Sequence, residues 1–140
     1  MRIALFLLAA TSAFTAENRD AIFQKSIEAM FPKLVEIRRD IHMHPELSNE
    51  EARTSKRVEA HLKSIGITDI KTGIAKHGIV AILKGANDGP CVAVRADMDA
   101  LPIKELRSTP YRSQVPGVMH ACGHDVHTTC AMGVAELLAM

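Results

Sequence analysis

Between Met119 and Thr129 the chain reads MHACGHDVHTT, placing one thiol, one carboxylate and three imidazoles within the eight residues from His120 to His127. Cys122 can supply a thiolate, His120, His124 and His127 neutral ring nitrogens, and Asp125 a hard oxygen, a donor set suited to zinc or a similar first-row divalent ion. Gly123 carries no Cβ, so the backbone can turn tightly enough there for Cys122 and His124 to converge. Two donors do not complete a site. A catalytic zinc takes three protein ligands plus water, so further donors must come from elsewhere in the fold.

Twenty residues earlier lies a second constellation. The run PCVAVRADMDALP, Pro90 to Pro102, begins with the apolar stretch Cys91 to Val94 and ends in two aspartates before a proline. The apolar stretch predicts a central strand buried on both faces. Alternation along such a strand puts Arg95, Asp97 and Asp99 on one face and delivers both carboxylates at its carboxyl end, where open α/β sheets bind ligands. Alone, the pattern fits an ion pair on a solvated strand end equally well. Beside the histidine cluster, it reads as a carboxylate that orients a ligating imidazole.

Three blocks carry a family resemblance: RRDIHMHPELSNEE (Arg38 to Glu51), VRADMDALPI (Val94 to Ile103) and PYRSQVPGVMHACGHDVHTT (Pro110 to Thr129). In order, spacing and residue identity they resemble the amino-terminal part of the M20 metallopeptidases. The nearest branch is the one containing hippurate hydrolases, N-acyl-amino-acid amidohydrolases and auxin-conjugate hydrolases. The resemblance implies that Cys122 and His124 bind metal and that Asp99 supports the centre. Asp97 falls where related branches have a ligating histidine, and Asp125 and His127 lie close by. It also implies two divalent ions, zinc or manganese, and a small N-acyl amino acid or related amide as substrate. The products would be a carboxylate and an amino acid, and the full-length enzyme would be a homodimer. The family's remaining ligands and its general-base glutamate would lie beyond Met140.

The fold expected is α/β, an incomplete amino-terminal part of a metallopeptidase-type catalytic domain with helices packed on a mixed sheet. A first helix is predicted over Arg19 to His44, with Ile27, Met30, Leu34, Ile37 and Ile41 inward and Pro45 ending it; His42 and His44 read as capping or surface residues of its last turn. Ser48 and Glu51 match a capping box for a second helix, closed by Gly66, with Val58, Leu62 and Ile65 inward and His61 outward. Strands follow near Asp69 to Thr72 and Gly78 to Leu83. From Asp125 a third helix places Val126, Cys130, Val134 and Leu137 in one apolar stripe and reaches Met140 without a stop signal, as expected of the first segment of a longer enzyme.

Composition is that of a globular chain: 140 residues, 47% hydrophobic, 24% charged and a formal net charge of +1. With no basic stripe, aromatic stacking platform or phosphate-cradling loop, nothing points to nucleic acid. Arg2, the apolar run Ile3 to Ala10 and the small residues Thr11 to Ala13 match a secretory signal peptide, cleaved after Ala13 or after Ala16. Residues 17–140 then form the catalytic portion, secreted or periplasmic; a cytoplasmic enzyme with a frayed terminus is the alternative. The run is too short to span a bilayer. Three cysteines give no disulfide framework, and Cys91 and Cys130 read as small buried hydrophobes. Two other readings stand beside the hydrolase: a cysteine hydrolase with Cys122 as nucleophile, and a non-catalytic metal-binding remnant.

Overall fold

The computed structural model describes residues 16–140, with side-chain surroundings from residue 18 onward. The expected export segment, 1–13, lies outside the described residues. Along the chain come α1 (Ala16–Met43), α2 (Ala52–Ser64), β1 (Asp69–Ile74), β2 (Gly78–Ile82) and α3 (His124–Leu138). No described helix is long and apolar enough to cross a membrane.

The spacing of Met30, Leu34, Ile37 and Ile41 gives α1 its inward stripe, and Ile37, Ile41 and Met132 of α3 form the core with Leu34 and Val58 packed on it. Ile27, expected inward, is 39% exposed. At Gly133 the two helices approach tightly: a Cβ there would lie 2.9 Å from Leu34 Cδ1. At the carboxyl end of α1, His44 Nδ1 donates to the Asp40 carbonyl at 2.8 Å, a capping role as expected.

The amino terminus of α2 is held differently from the expected capping box. Glu51 is the N-cap residue and makes no side-chain bond to its helix; it accepts instead from the Asn49 backbone N–H. The orphan amides are taken by Glu46, whose carboxylate accepts from the N–H groups of Arg53 and Thr54 and from the Thr54 hydroxyl, at 2.8–2.9 Å. A carboxylate at a helix amino terminus also complements the helix dipole. Gly66, at φ 86°, closes the helix as predicted.

β1 and β2 pair antiparallel, Ile70 opposite Ala81 and Lys71 opposite Val80, with a bulge before the turn. They form the whole of the two-stranded sheet among the described residues. The central strand predicted from Cys91 to Val94 is not formed. Val92 is 83% and Val94 61% exposed, and Cys91 is exposed as well. An apolar run becomes a buried strand only if neighbouring backbones pair with it, and none among the described residues does. Pairing resumes just past the aspartates, where Ala100 bridges parallel to Leu47 and Leu101 antiparallel to Met119. Those two bridges tie the aspartate segment to the stretch between α1 and α2 and to the cysteine–histidine turn.

The apolar stripe expected to bury α3 faces outward. Val126 is 43% and Val134 38% exposed, and Cys130 is exposed, whereas Asp125, Thr128, Thr129, Met132 and Gly133 are buried. His61, expected outside, is buried against α3, its Nε2–H donating to the Met132 carbonyl at 3.2 Å.

Burial holds His61 below the ordinary imidazole value of 6.5; the Met132 carbonyl and Glu136 pull it up, and Lys33 and Arg57 push it down. A histidine kept neutral in the fold contributes stability that is complete above its unfolded pKa and is lost as pH falls below it. The urea midpoint should therefore drop between pH 7.5 and pH 5.5, and His61→Gln should flatten that slope. An unchanged slope would show that His61 titrates alike in both states.

Candidate functional site

Backbone geometry makes the cysteine–histidine turn. Ala121 N–H donates to the Met119 carbonyl and Gly123 N–H to that of His120, after which Gly123 adopts φ 81°, ψ 21° as the N-cap residue of α3. This left-handed conformation costs an L side chain about 1–2 kcal/mol, which is why glycine sits between the thiol and the imidazole. The tight turn expected at Gly123 is formed.

His124 enters the first turn of α3 and is fixed through one nitrogen. Its Nδ1 lies 2.9 Å from the Asp99 carbonyl oxygen and 3.0 Å from Asp99 Oδ1. Both partners accept, so Nδ1 carries the proton and Nε2 is left with its lone pair. Asp99 thus sets the tautomer and the orientation of the ring. Cys122 is exposed and its thiol is free.

The other candidates separate. Asp97 spends its carboxylate on Arg95 at 2.6 Å, the solvated ion pair weighed in the sequence, while its backbone carbonyl accepts from Thr128 Oγ1 at 3.0 Å. His127 is exposed, its ring centroid 5.5 Å from that of His124. Asp125 is fully buried and bonded toward α1. His120 is 4% exposed with neither ring nitrogen hydrogen-bonded among the described residues. Burial lowers its pKa; Asp125 and Asp99 oppose that, and His42 and His124 add to it. Among the described residues, no three His, Cys, Asp or Glu side chains gather closely enough to hold a metal ion. Cys122 and His124 offer two donors.

Beneath the turn lies a polar cluster that the sequence reading missed. His42 is buried, not a surface cap, and its ring bridges two carboxylates: Nδ1 is 2.8 Å from Asp125 Oδ2 and Nε2 is 3.3 Å from Glu105 Oε1. Arg38 Nε reaches the same Asp125 oxygen at 2.8 Å. Burial pushes the Glu105 carboxyl up. The Ser113 N–H at 2.7 Å, the His42 bond and charge, and Arg112 outweigh that and hold it below the ordinary value. Tyr111 packs edge-on to His42 and lies 5.0 Å from the guanidinium carbons of Arg38 and Arg39. One signal was available: Arg38 and His42 are four apart and each follows a residue of the inward stripe, Ile37 and Ile41. Nothing in the sequence marked Glu105.

A cavity of about 360 Å³ opens beside the turn, with Cys122, His120, Asp125, Thr109, Tyr111 and Arg107 in its wall.

The chain is similar to known proteins in sequence and in fold. Residues 93–140 match the model of peptidase family M20/M25/M40. An N-acetylcysteine deacetylase of Bacillus subtilis is 46% identical over 111 residues, covering 79% of this chain and 29% of the relative. An IAA-amino acid hydrolase, ILR1-like 5, of Arabidopsis thaliana is 48% identical over 79% of this chain and 25% of its own length. Among solved structures, the YXEP protein of Bacillus subtilis, a dinuclear metal-binding M20 peptidase, superposes with a TM-score of 0.76 at 46% identity, covering 80% of this chain and 31% of that one. The chain thus spans under a third of the length of these relatives.

Proposed function

We propose that this chain, which carries the M20-family pattern in sequence and in fold, contributes Cys122 and His124 to a pair of divalent ions in an amidohydrolase. The substrate is an N-acyl amino acid, cleaved to a carboxylate and a free amino acid. One observation carries the reading: Asp99 accepts the hydrogen bond of His124 Nδ1–H, leaving a bare Nε2 two residues from an exposed thiol across a left-handed glycine. The names of the relatives support it, one a deacetylase of an N-acetylated amino acid and one a hydrolase of an amino acid conjugate.

Divalent ions, zinc or manganese, would supply Lewis acidity toward the amide carbonyl and an acidified water for the attack. This chain's residues do the positioning. Gly123 sets the spacing of thiol and imidazole, Asp99 fixes the ring, and the bridges at Ala100 and Leu101 fix Asp99. The donor chemistry fits a divalent centre, and two donors do not close one, so the 140 residues alone are inactive. Export directed by residues 1–13 is part of the same proposal; the amino terminus of the mature secreted protein tests it.

The complete protein should contain two divalent ions and hydrolyse N-acetyl amino acids. A chelator should abolish turnover and added metal restore it, whereas iodoacetamide inhibition that metal does not protect against would favour a nucleophilic Cys122. Asp99→Ala should weaken metal affinity by about 10–100-fold, the usual cost of losing the group that orients a ligating histidine. Metal content and turnover that ignore both chelator and Asp99→Ala would sink the proposal.

A further inference from the structure

We infer that Thr128 is a positioning residue for the metal centre: its hydroxyl clasps the aspartate segment to α3 and so sets the register in which Asp99 meets His124. Thr128 Oγ1 donates to the Asp97 carbonyl at 3.0 Å, and one helical turn earlier His124 Nδ1 lies 2.9 Å from the Asp99 carbonyl oxygen and 3.0 Å from Asp99 Oδ1. The spacings match. Four residues of helix rise about 6 Å and two residues of extended chain span about 6.6 Å, so two contacts on one face of α3 fall on alternate residues of the segment opposite. Two contacts fix a register, where one alone leaves the segment free to pivot.

The partner that the hydroxyl takes points to this role. A threonine inside a helix commonly bonds back to the carbonyl four residues before it, as Thr129 Oγ1 does to the Asp125 carbonyl at 2.7 Å. Thr128 spends its donor outside its own helix. It is buried, so the bond is made away from water, and a side chain without a donor would leave the Asp97 carbonyl without this partner. The carboxylate of Asp97 takes no part, being paired with Arg95 at 2.6 Å, so Asp97 acts here through its backbone. The rest of the segment is held unevenly. Beyond Asp99 the backbone is anchored, Ala100 N–H to the Glu46 carbonyl at 2.7 Å and Leu101 with Met119 in both directions at 3.0 Å. Before Asp99, from Cys91 to Met98, the bond from Thr128 is the one hydrogen bond to another element among the described residues.

Three substitutions in the complete protein test the clasp. Thr128→Val keeps the shape and removes the donor, Thr128→Ser keeps the donor and removes the methyl, and Thr128→Ala, the better helix former, takes the place of valine if that variant does not fold. Affinity for Co²⁺, followed by the visible absorption of the bound ion, should weaken about 3- to 10-fold in Thr128→Val, less than the about 10–100-fold expected at Asp99 because one more contact intervenes. The absorption maximum should move as well, and Thr128→Ser should restore both. In an Asp99→Ala background Thr128→Val should add less than about twofold, since the contact it positions is already gone. Wild-type affinity and spectrum in Thr128→Val, an equal loss in Thr128→Ser, or a fully additive loss beside Asp99→Ala would each overturn the inference. Ligation by Cys122 and His124, as proposed, is the premise of these readouts; one further readout does not need it. In the metal-free protein the His124 ring ¹H–¹⁵N peak, assigned by its loss in His124→Gln, should be sharp in wild type and in Thr128→Ser and broadened by solvent exchange in Thr128→Val. If the complete protein binds no divalent ion and this pattern holds, the clasp stands and the proposed activity fails. If the ions bind and neither peak nor affinity responds to Thr128→Val, the clasp alone fails.

Discussion

Replacing Cys122 by alanine in the complete protein is expected to remove bound metal and amide hydrolysis together, leaving turnover at the chelated background. The thiolate is the soft donor of the pair, and no neighbouring side chain can substitute for it. His120 is buried away on the cavity wall, His127 is exposed, and the Asp125 oxygen nearest α1 is shared by Arg38 and His42. His124→Ala should behave the same way, because the Nε2 lone pair that Asp99 exposes disappears with the ring. Controls set the scale. Cys91→Ala and Cys130→Ala remove exposed thiols outside the cysteine–histidine turn and should keep full metal content. Asp97→Ala removes a carboxylate already paired with Arg95 and 43% exposed, so metal affinity should change by less than about twofold. Elemental analysis of the purified variants, beside their rates on an N-acetyl amino acid, checks all of these. Should Cys122→Ala retain two metals and wild-type turnover, the thiol is no ligand and the metal assignment fails.

Where local rules decide the outcome, the sequence was a good guide. The stripe of α1, the closure of α2 at Gly66, the β1–β2 hairpin and the left-handed Gly123 all follow from spacing and backbone freedom within a few residues. The contact between Asp99 and His124 was also foreseeable, as a carboxylate segment and an imidazole segment that one fold brings together. What could not be read was the choice of partner. Cys91 to Val94 has the composition of a central strand, yet its backbone pairs with nothing among the described residues. On α3 two faces compete, and the one with fewer apolar residues is buried. Its polar groups are answered inside: Thr129 Oγ1 donates to the Asp125 carbonyl, Thr128 Oγ1 to the Asp97 carbonyl, and Asp125 is met by Arg38 and His42. A polar face buried with its partners costs little. Apart from the Asp125 carbonyl, one helical turn before Thr129, those partners lie 31 to 87 positions away in sequence, beyond the reach of periodicity. The same distance hid His42 and His61, each of which reads as an ordinary helix histidine until the helix opposite is in place.

The cluster around Asp125 is where the largest loss of stability is expected. Asp125 is fully buried, and one of its oxygens takes Arg38 Nε and His42 Nδ1, both at 2.8 Å. Asp125→Ala leaves Arg38, only 28% exposed, and the buried His42 facing an empty space, so unfolding should become easier by about 3 kcal/mol, the low end for breaking a buried pair from one side. Asp125→Asn keeps an oxygen for one donor and should lose less. The urea midpoint, with Arg38→Met and the double variant, measures the coupling: in Asp125→Ala, the further change from Arg38→Met should be much smaller than in the wild type, because its partner is already gone. Hydrogen exchange at Val126 to Thr129 should quicken in Asp125→Ala, since the side chain that ties the first turn of α3 to α1 has been cut. His124 lies in that turn, so a looser anchor also loosens the geometry Asp99 imposes, and metal affinity should fall while Cys122 and His124 remain intact. A midpoint within about 0.5 kcal/mol of wild type would show instead that the three side chains are held by solvent and packing, and that the turn needs no anchor from α1.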